Sequence, residues 1–113
     1  MTAPGRPPDP EAYVEQVLAL VEQVPPGHAT SYGALASAVG WGGPRRVGAV
    51  LAQWGGSVAW WRVVRADGSL PPSHGLEARA RYREEGTPLL ASGKVDLRRC
   101  GWWPEAPEDA GAR

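Results

Sequence analysis

Apolar residues recur along the first part of the chain with the period of a helix. Tyr13, Val14, Val17, Leu18, Val21 and Val24 stand three or four positions apart. That spacing gathers side chains on one face and predicts an amphipathic helix over residues 11–24. Pro25-Pro26-Gly27 stops it, since proline cannot continue the hydrogen-bond ladder and glycine supplies the turn. Thr30 or Ser31 then caps a short second helix that carries Leu35 and Val39 one turn apart and ends at Gly40. After Trp41-Gly42-Gly43, Pro44 opens a third helix that runs to Trp54.

The third helix is informative in projection. Val47, Val50, Leu51 and Trp54 stand at i, i+3, i+4 and i+7 and define its expected buried stripe. The other face holds Arg45, Gly48, Ala49 and Ala52. Solvated helix faces normally carry long charged side chains, so a face of small residues led by an arginine is suited to bringing the helix axis close to another surface. With the short helix before it and the glycine-containing turn between, the pair reads as a helix-turn-helix, with an ordinary packed helix pair as the plainer alternative.

Beyond Gly55-Gly56 the pattern changes. Val58 to Val64 is rich in β-formers, Ala66-Asp67-Gly68 has turn chemistry, and Ser69-Leu70 can return as a strand, so a hairpin wing is expected. Leu76 to Glu85 reads as a charged helix closed by Gly86, with Glu77 and Arg81 spaced for an i, i+4 ion pair. From Thr87 to Leu97 a Ser92-Gly93 turn between apolar residues predicts a second small hairpin. The expected architecture is therefore mainly α, a winged helix-turn-helix domain with small β-hairpin elements.

Composition sharpens this picture in three ways. A chain of 113 residues supports one small core, and because it holds six Trp and no Phe, tryptophan is expected to supply the bulk. The Pro- and Gly-rich ends, 1–9 and 104–113, are expected to be disordered, leaving a domain over 10–103. The single cysteine, Cys100, cannot form an internal bridge, and no apolar run is long enough for a signal peptide or a membrane span. A soluble intracellular protein is the expectation.

The formal net charge is zero, but the charges are unevenly placed. No Asp or Glu occurs from Gln23 to Ala66, whereas Arg45, Arg46, Arg62 and Arg65 all do. A neutral chain can thus carry a locally positive face fit for a phosphate backbone, with simple solvated surface as the alternative. His28 and His74 are isolated, so neither a metal site nor a cofactor is expected.

Three segments, in order, carry a family resemblance. They are Val24-Pro25-Pro26-Gly27-His28-Ala29-Thr30-Ser31-Tyr32-Gly33-Ala34-Leu35-Ala36, Arg45-Arg46-Val47-Gly48-Ala49-Val50-Leu51, and Val58-Ala59-Trp60-Trp61-Arg62-Val63-Val64-Arg65-Ala66-Asp67-Gly68. Together they resemble the DNA-binding domain of the O6-alkylguanine-DNA alkyltransferases, and more closely their non-enzymatic relatives, the alkyltransferase-like proteins. The likeness runs from Tyr13 to Trp103. In the enzymes the third segment reads Pro-Cys-His-Arg-Val; here Trp60 stands at the cysteine position and Trp61 at the histidine position. An indole forms no thiolate and accepts no alkyl group by displacement, so the resemblance implies binding without catalysis.

The same resemblance implies the roles of individual residues. Arg45 enters the base stack in place of a flipped nucleotide, and Tyr32 presses on the neighbouring phosphate. Gly48 and Ala49 admit the helix to the minor groove, where this family places it. Trp60, Trp61, Arg62, Val63 and Ser73 surround the flipped base, Arg62 by hydrogen bonds and Val63 as wall. The alternatives for single residues are that Arg45 contacts a phosphate only, that Tyr32 is a core residue with its hydroxyl satisfied nearby, that Trp60 fills the pocket instead of lining it, and that Arg62 is held in a structural ion pair. The implied partners of a monomeric, cytoplasmic and nucleoid-associated protein are double-stranded DNA with an alkylated guanine and the nucleotide excision repair proteins.

The chain also departs from the pattern. Ala59 replaces the usual proline, the link from Val47 to Trp60 is shorter than in many relatives, and the hinge asparagine is missing beside Gln53-Trp54. Where related binders use a loop arginine, this loop offers Ser73 and His74. Two other functional classes compete with the binder: an alkyltransferase using another nucleophile, for which only Cys100 is available, and a winged-helix regulator, which would need base-reading side chains where Ala49 and Ala52 stand.

Overall fold

The computed structural model describes residues 9–70 and 74–104. The expectations of disorder for 1–8 and 105–113, and the role given to Ser73, lie outside the described residues. Helix α1 spans Pro10–Gln23, with Asp9 accepting from the Ala12 N–H at 3.2 Å. Strand β1 is Thr30–Ser31 and leads directly into α2, Tyr32–Val39. Ser31 caps α2 by accepting from Ala34 N–H at 3.0 Å, and Gly40, at φ 85°, ends it in the left-handed conformation that glycine adopts without a Cβ clash. Helix α3 spans Pro44–Trp54. These three helices fall within a residue or so of where periodicity and caps place them.

Their packing is a single apolar cluster. Tyr13, Val17 and Val21 of α1 meet Leu35 and Ala36 of α2 and Val47, Val50 and Leu51 of α3, and Val58 and Val63 close the cluster. Trp54 is a correction to the predicted stripe, because it is 49% exposed at the end of α3. Tryptophan as the bulk of the core is another. None of the six is fully buried, and the largest fully enclosed side chains are Leu35 and a set of valines. The small volume between three short helices is filled by β-branched residues, which leaves the indoles at its margins.

The second half departs further from expectation. A 3-10 turn at Trp60–Arg62 interrupts the stretch from Val58 to Val64 expected to be a strand, and another, Gly55–Ser57, precedes it. Of that stretch Val63–Val64 alone forms a strand, β2, and it pairs in parallel with β1, Thr30 opposite Val63 and Ser31 opposite Val64. The predicted wing hairpin is therefore replaced by a turn, in which Arg65 N–H donates to Ser69 at 2.8 Å, and by a long-range parallel pairing. Gly68 is required there, since φ is +90° and a Cβ would collide with the carbonyl oxygen of Val95.

Helix α4 spans Gly75–Glu85 and ends at Gly86. The expected Glu77–Arg81 pair does not form; Arg81 lies over the Trp61 ring at 4.6 Å and reaches Glu84 at 3.9 Å. The second hairpin is reduced to one antiparallel bridge, Leu89 with Val95, around a turn at Gly93. A short helix α5, Leu97–Cys100, follows, and the backbone after it pairs with Ala29 beside β1. Ala29, Val64, Ala78, Tyr82, Val95 and Cys100 form the second buried cluster beneath Trp60 and Trp61.

Candidate nucleic-acid interface

Two consecutive arginines at the start of α3 have different fates. Arg46 lies over the Trp41 ring at 4.7 Å, and Trp41 in turn meets Tyr13 edge-on at 5.5 Å. Arg45 is exposed and makes no hydrogen bond or ion pair among the described residues. It projects from a helix whose N-cap, Gly43, offers no side-chain acceptor. The first-turn N–H groups and the helix dipole there favour an anion, as a phosphate backbone would supply.

Gly48 lies one turn further along. A Cβ built on it meets no atom within 4 Å, so the fold itself does not require glycine at this place in the helix. Ala49 and Ala52 beside it are exposed. The face keeps its expected character: small, uncharged, and without a partner inside the protein.

Beside this face opens a cavity of about 390 Å³ whose walls include Tyr32, Gly48, Leu51, Trp60, His74 and Glu77. Its volume lies within the roughly 300–1,000 Å³ usual for small-ligand pockets. Trp60 lines this space and leaves it open. Its ring meets His74 at 5.3 Å on one side and Trp61 edge-on at 5.7 Å on the other. Tyr32 is half-buried in the wall; burial raises its phenol above the ordinary value, and the charge of Arg65 opposes that shift.

Trp61, Arg62 and Val63, expected in the pocket, stand behind it. Val63 is fully buried in the helical cluster. Trp61 and Arg62 converge on Glu85, at the end of α4. The Trp61 indole N–H donates to Glu85 Oε2 at 3.0 Å, and the Arg62 guanidinium donates to Oε1 at 3.1 Å and to Oε2 at 2.6 Å. Arg62 also donates to the carbonyl of Val24 at 2.9 Å, Glu85 accepts from the Gly27 N–H at 3.2 Å, and the Tyr82 hydroxyl donates to the Trp61 carbonyl at 2.7 Å. Burial would raise the Glu85 pKa, but these donors and the Arg62 charge outweigh it and hold the carboxyl below its usual range. The network ties the end of α1, the Trp60–Arg62 turn and α4 together, and so fixes the backbone that presents Trp60.

Glu85 was not foreseen from sequence. The available signal was that Arg62 lies in an acid-free stretch and, if buried, must find a carboxylate elsewhere. Glu77 and Leu70 were likewise not assigned to the pocket, although they line it together with His74, which the sequence offers beside Ser73 in place of the loop arginine of related binders. Cys100 is 3% exposed, with its thiol directed at the Asp96 carbonyl at 3.3 Å. Burial and the Asp96 charge push its pKa up, which disfavours the thiolate needed for attack. Among the described residues, no group of His, Cys, Asp and Glu is gathered as a metal site would require, and no helix is long and apolar enough to cross a membrane.

A short helix pair that presents a bare, arginine-led helix next to a tryptophan-lined pocket defines a helix-turn-helix domain built around a side cavity. Residues 12–87 match the family model described as 6-O-methylguanine DNA methyltransferase, DNA binding domain, and the chain belongs to that family as an alkyltransferase-like member. It is 32% identical over 99 residues to the DNA base-flipping protein of Escherichia coli, covering 81% of this chain and 75% of that protein. It is 29% identical over 99 residues to the DNA base-flipping protein of Vibrio parahaemolyticus, covering 83% of this chain and 99% of that protein. Its fold matches the crystal structure of S. pombe Atl1 in complex with damaged DNA containing O6-carboxymethylguanine. There the TM-score is 0.75 at 24% identity, over 86% of this chain and 100% of that one.

Proposed function

We propose that this chain binds DNA containing O6-alkylguanine from the minor groove, turns the damaged nucleotide into the Trp60 pocket, and leaves its alkyl group in place. The relatives named as base-flipping proteins, and the Atl1 likeness, support the binding of alkylated DNA. The observation that carries the reading is Trp60 itself: an indole faces an open pocket at the position where the family resemblance puts the sulfur nucleophile.

The mechanism follows from what each side chain can do. Arg45 enters the stack as the nucleotide leaves, offsetting an unstacking cost of a few kcal/mol that is lowest for a poorly paired base. Tyr32 presses the adjacent phosphate, and Gly48 and Ala49 let α3 approach the groove floor. The flipped purine then stacks on the Trp60 ring, a contact worth about 1–3 kcal/mol per base. Arg62, Trp61 and Val63 support that ring from behind. Because Trp60 supplies no nucleophile, the complex persists, and its remaining role is to flag the lesion for nucleotide excision repair. The protein acts as a monomer in the cytoplasm, associated with the nucleoid while bound.

The other two classes fare worse. Cys100 is buried and held as a thiol, and a sequence-reading regulator would need hydrogen-bonding side chains on α3 where Gly48, Ala49 and Ala52 stand. The test is a titration of two matched fluorescent duplexes, one with a single O6-methylguanine, against wild type, Arg45→Ala and Tyr32→Ala at fixed salt. Wild type is expected to prefer the lesion and both variants to lose that preference. Equal affinity of wild type for the two duplexes would refute the reading.

A further inference from the structure

We propose that Glu77, at the pocket that Trp60 lines, sorts O6-substituents by charge, accepting neutral alkyl groups and disfavouring those that end in a carboxylate. This rests on the lesion-binding reading above and adds the class of lesion to it. Among the described residues, every one lining the pocket apart from Glu77 and His74 is uncharged: glycines, Ala52, Leu51 and Leu70, Trp60 and Tyr32. An added carboxylate would therefore meet one fixed anion there and no arginine or lysine.

No ion pair among the described residues neutralises the Glu77 charge. The residue is exposed. Arg81, one turn on and placed by sequence to pair with it, is drawn instead over the Trp61 ring and toward Glu84. Arg65 acts on Tyr32 but is not part of the pocket wall. Glu77 also stands in the first turn of α4, so it already takes up the favourable field of that helix end, and a second carboxylate gains little from it.

Among the described residues His74 is the one basic side chain in the lining, and its ring is turned against Trp60. The pocket thus combines an aromatic wall with a single negative charge. That combination suits methyl, longer alkyl and hydroxyalkyl groups. S. pombe Atl1 is found in complex with DNA containing O6-carboxymethylguanine, so the selectivity proposed here is a property of this chain's own residues.

The experiment uses four duplexes that differ at one base: guanine, O6-methylguanine, O6-(2-hydroxyethyl)guanine and O6-carboxymethylguanine. The last two are close in size and differ in charge. Anisotropy titrations at one salt concentration compare wild type with Glu77→Gln, a substitution of equal size at an exposed position, and with Glu77→Lys. Wild type is expected to bind the carboxymethyl duplex roughly three- to tenfold more weakly than the hydroxyethyl duplex, the range for two carboxylates a few ångströms apart in partly aqueous surroundings. Glu77→Gln should close that gap to within about twofold and Glu77→Lys should reverse it, as expected once the repulsion is removed or inverted. Equal wild-type affinities for the two duplexes, or a gap that persists in both variants, would overturn the assignment while leaving lesion binding intact. Failure of wild type to prefer any alkylated duplex over guanine would remove the lesion-binding reading and this inference with it.

Discussion

Around Leu35 the chain is held by apolar side chains locked between three helices, whereas around Trp61 it is held by one carboxylate that collects hydrogen bonds from Gly27, Trp61 and two nitrogens of Arg62. The first region depends on contacts whose pattern repeats every turn of its own sequence. The second joins residues separated by 23, 24 and 58 positions. The contrast teaches how the labour is divided: the helical cluster orients α3, and a partly buried polar network orients the short turn that carries Trp60.

The largest expected effect is in the helical region. Leu35→Ala removes a fully buried side chain and should cost about 3–4 kcal/mol of unfolding free energy, measured by urea denaturation. The loss should be the same at pH 7 and pH 4, because no charge is involved. Arg62→Ala should cost about 3 kcal/mol at pH 7, since it leaves the largely enclosed Glu85 without its main partner. That loss should shrink in acid. The folded-state pKa of Glu85 is lowered, so its contribution is fully present above the unfolded carboxylate value of about 4.3 and fades as pH falls through the lower, folded value. A pH series in which the Arg62→Ala deficit stays constant down to acid unfolding would remove the distinction drawn between the two regions.

Smaller effects separate fold from function. Trp60→Ala should weaken binding of an O6-methylguanine duplex by about 1–3 kcal/mol through lost stacking, with much less effect on intact DNA. Gly48→Ala should act in opposite directions on the two properties. A Cβ at Gly48 meets nothing inside the protein, so helix propensity alone should add about 0.5–1 kcal/mol of stability, while the added methyl should weaken DNA binding by holding α3 away from the groove. Calorimetry and anisotropy on the same preparation check both signs.

The sequence makes the helical region legible almost to the residue, because caps and breakers are local: Ser31 ahead of α2, Gly40 after it, Pro44 at the start of α3, Gly86 after α4. Periodicity still misjudges Trp54, whose indole lies half exposed at the end of α3. The parallel pairing of Thr30–Ser31 with Val63–Val64 is less accessible to such reasoning. β-propensity reports that Val63 and Val64 can be extended, but not which distant segment completes their ladder. For the same reason the acid that would meet Arg62 could not be chosen among Asp67, Glu77, Glu84 and Glu85.

The candidate site divides along the same line. Tyr32, Gly48 and Trp60, which carry the family motifs, are brought together at one cavity, with Arg45 and Ala49 on the adjoining helix. Trp61, Arg62 and Val63 share a motif with Trp60 but not a surface. The tight turn at Trp60–Arg62 brings the consecutive side chains of Trp61 and Arg62 to the same carboxylate, Glu85, whereas a strand would send them to opposite faces. His74 and Glu77 enter the pocket only because α4 starts beside it.

The central claim is that the pocket grips an alkylated base without altering it. Its most direct test mixes the purified protein with a duplex bearing tritium in the methyl group of a single O6-methylguanine, isolates the complex, and denatures it. A stable complex is expected, with all of the radioactivity returning with the DNA. Tritium on the protein would contradict it.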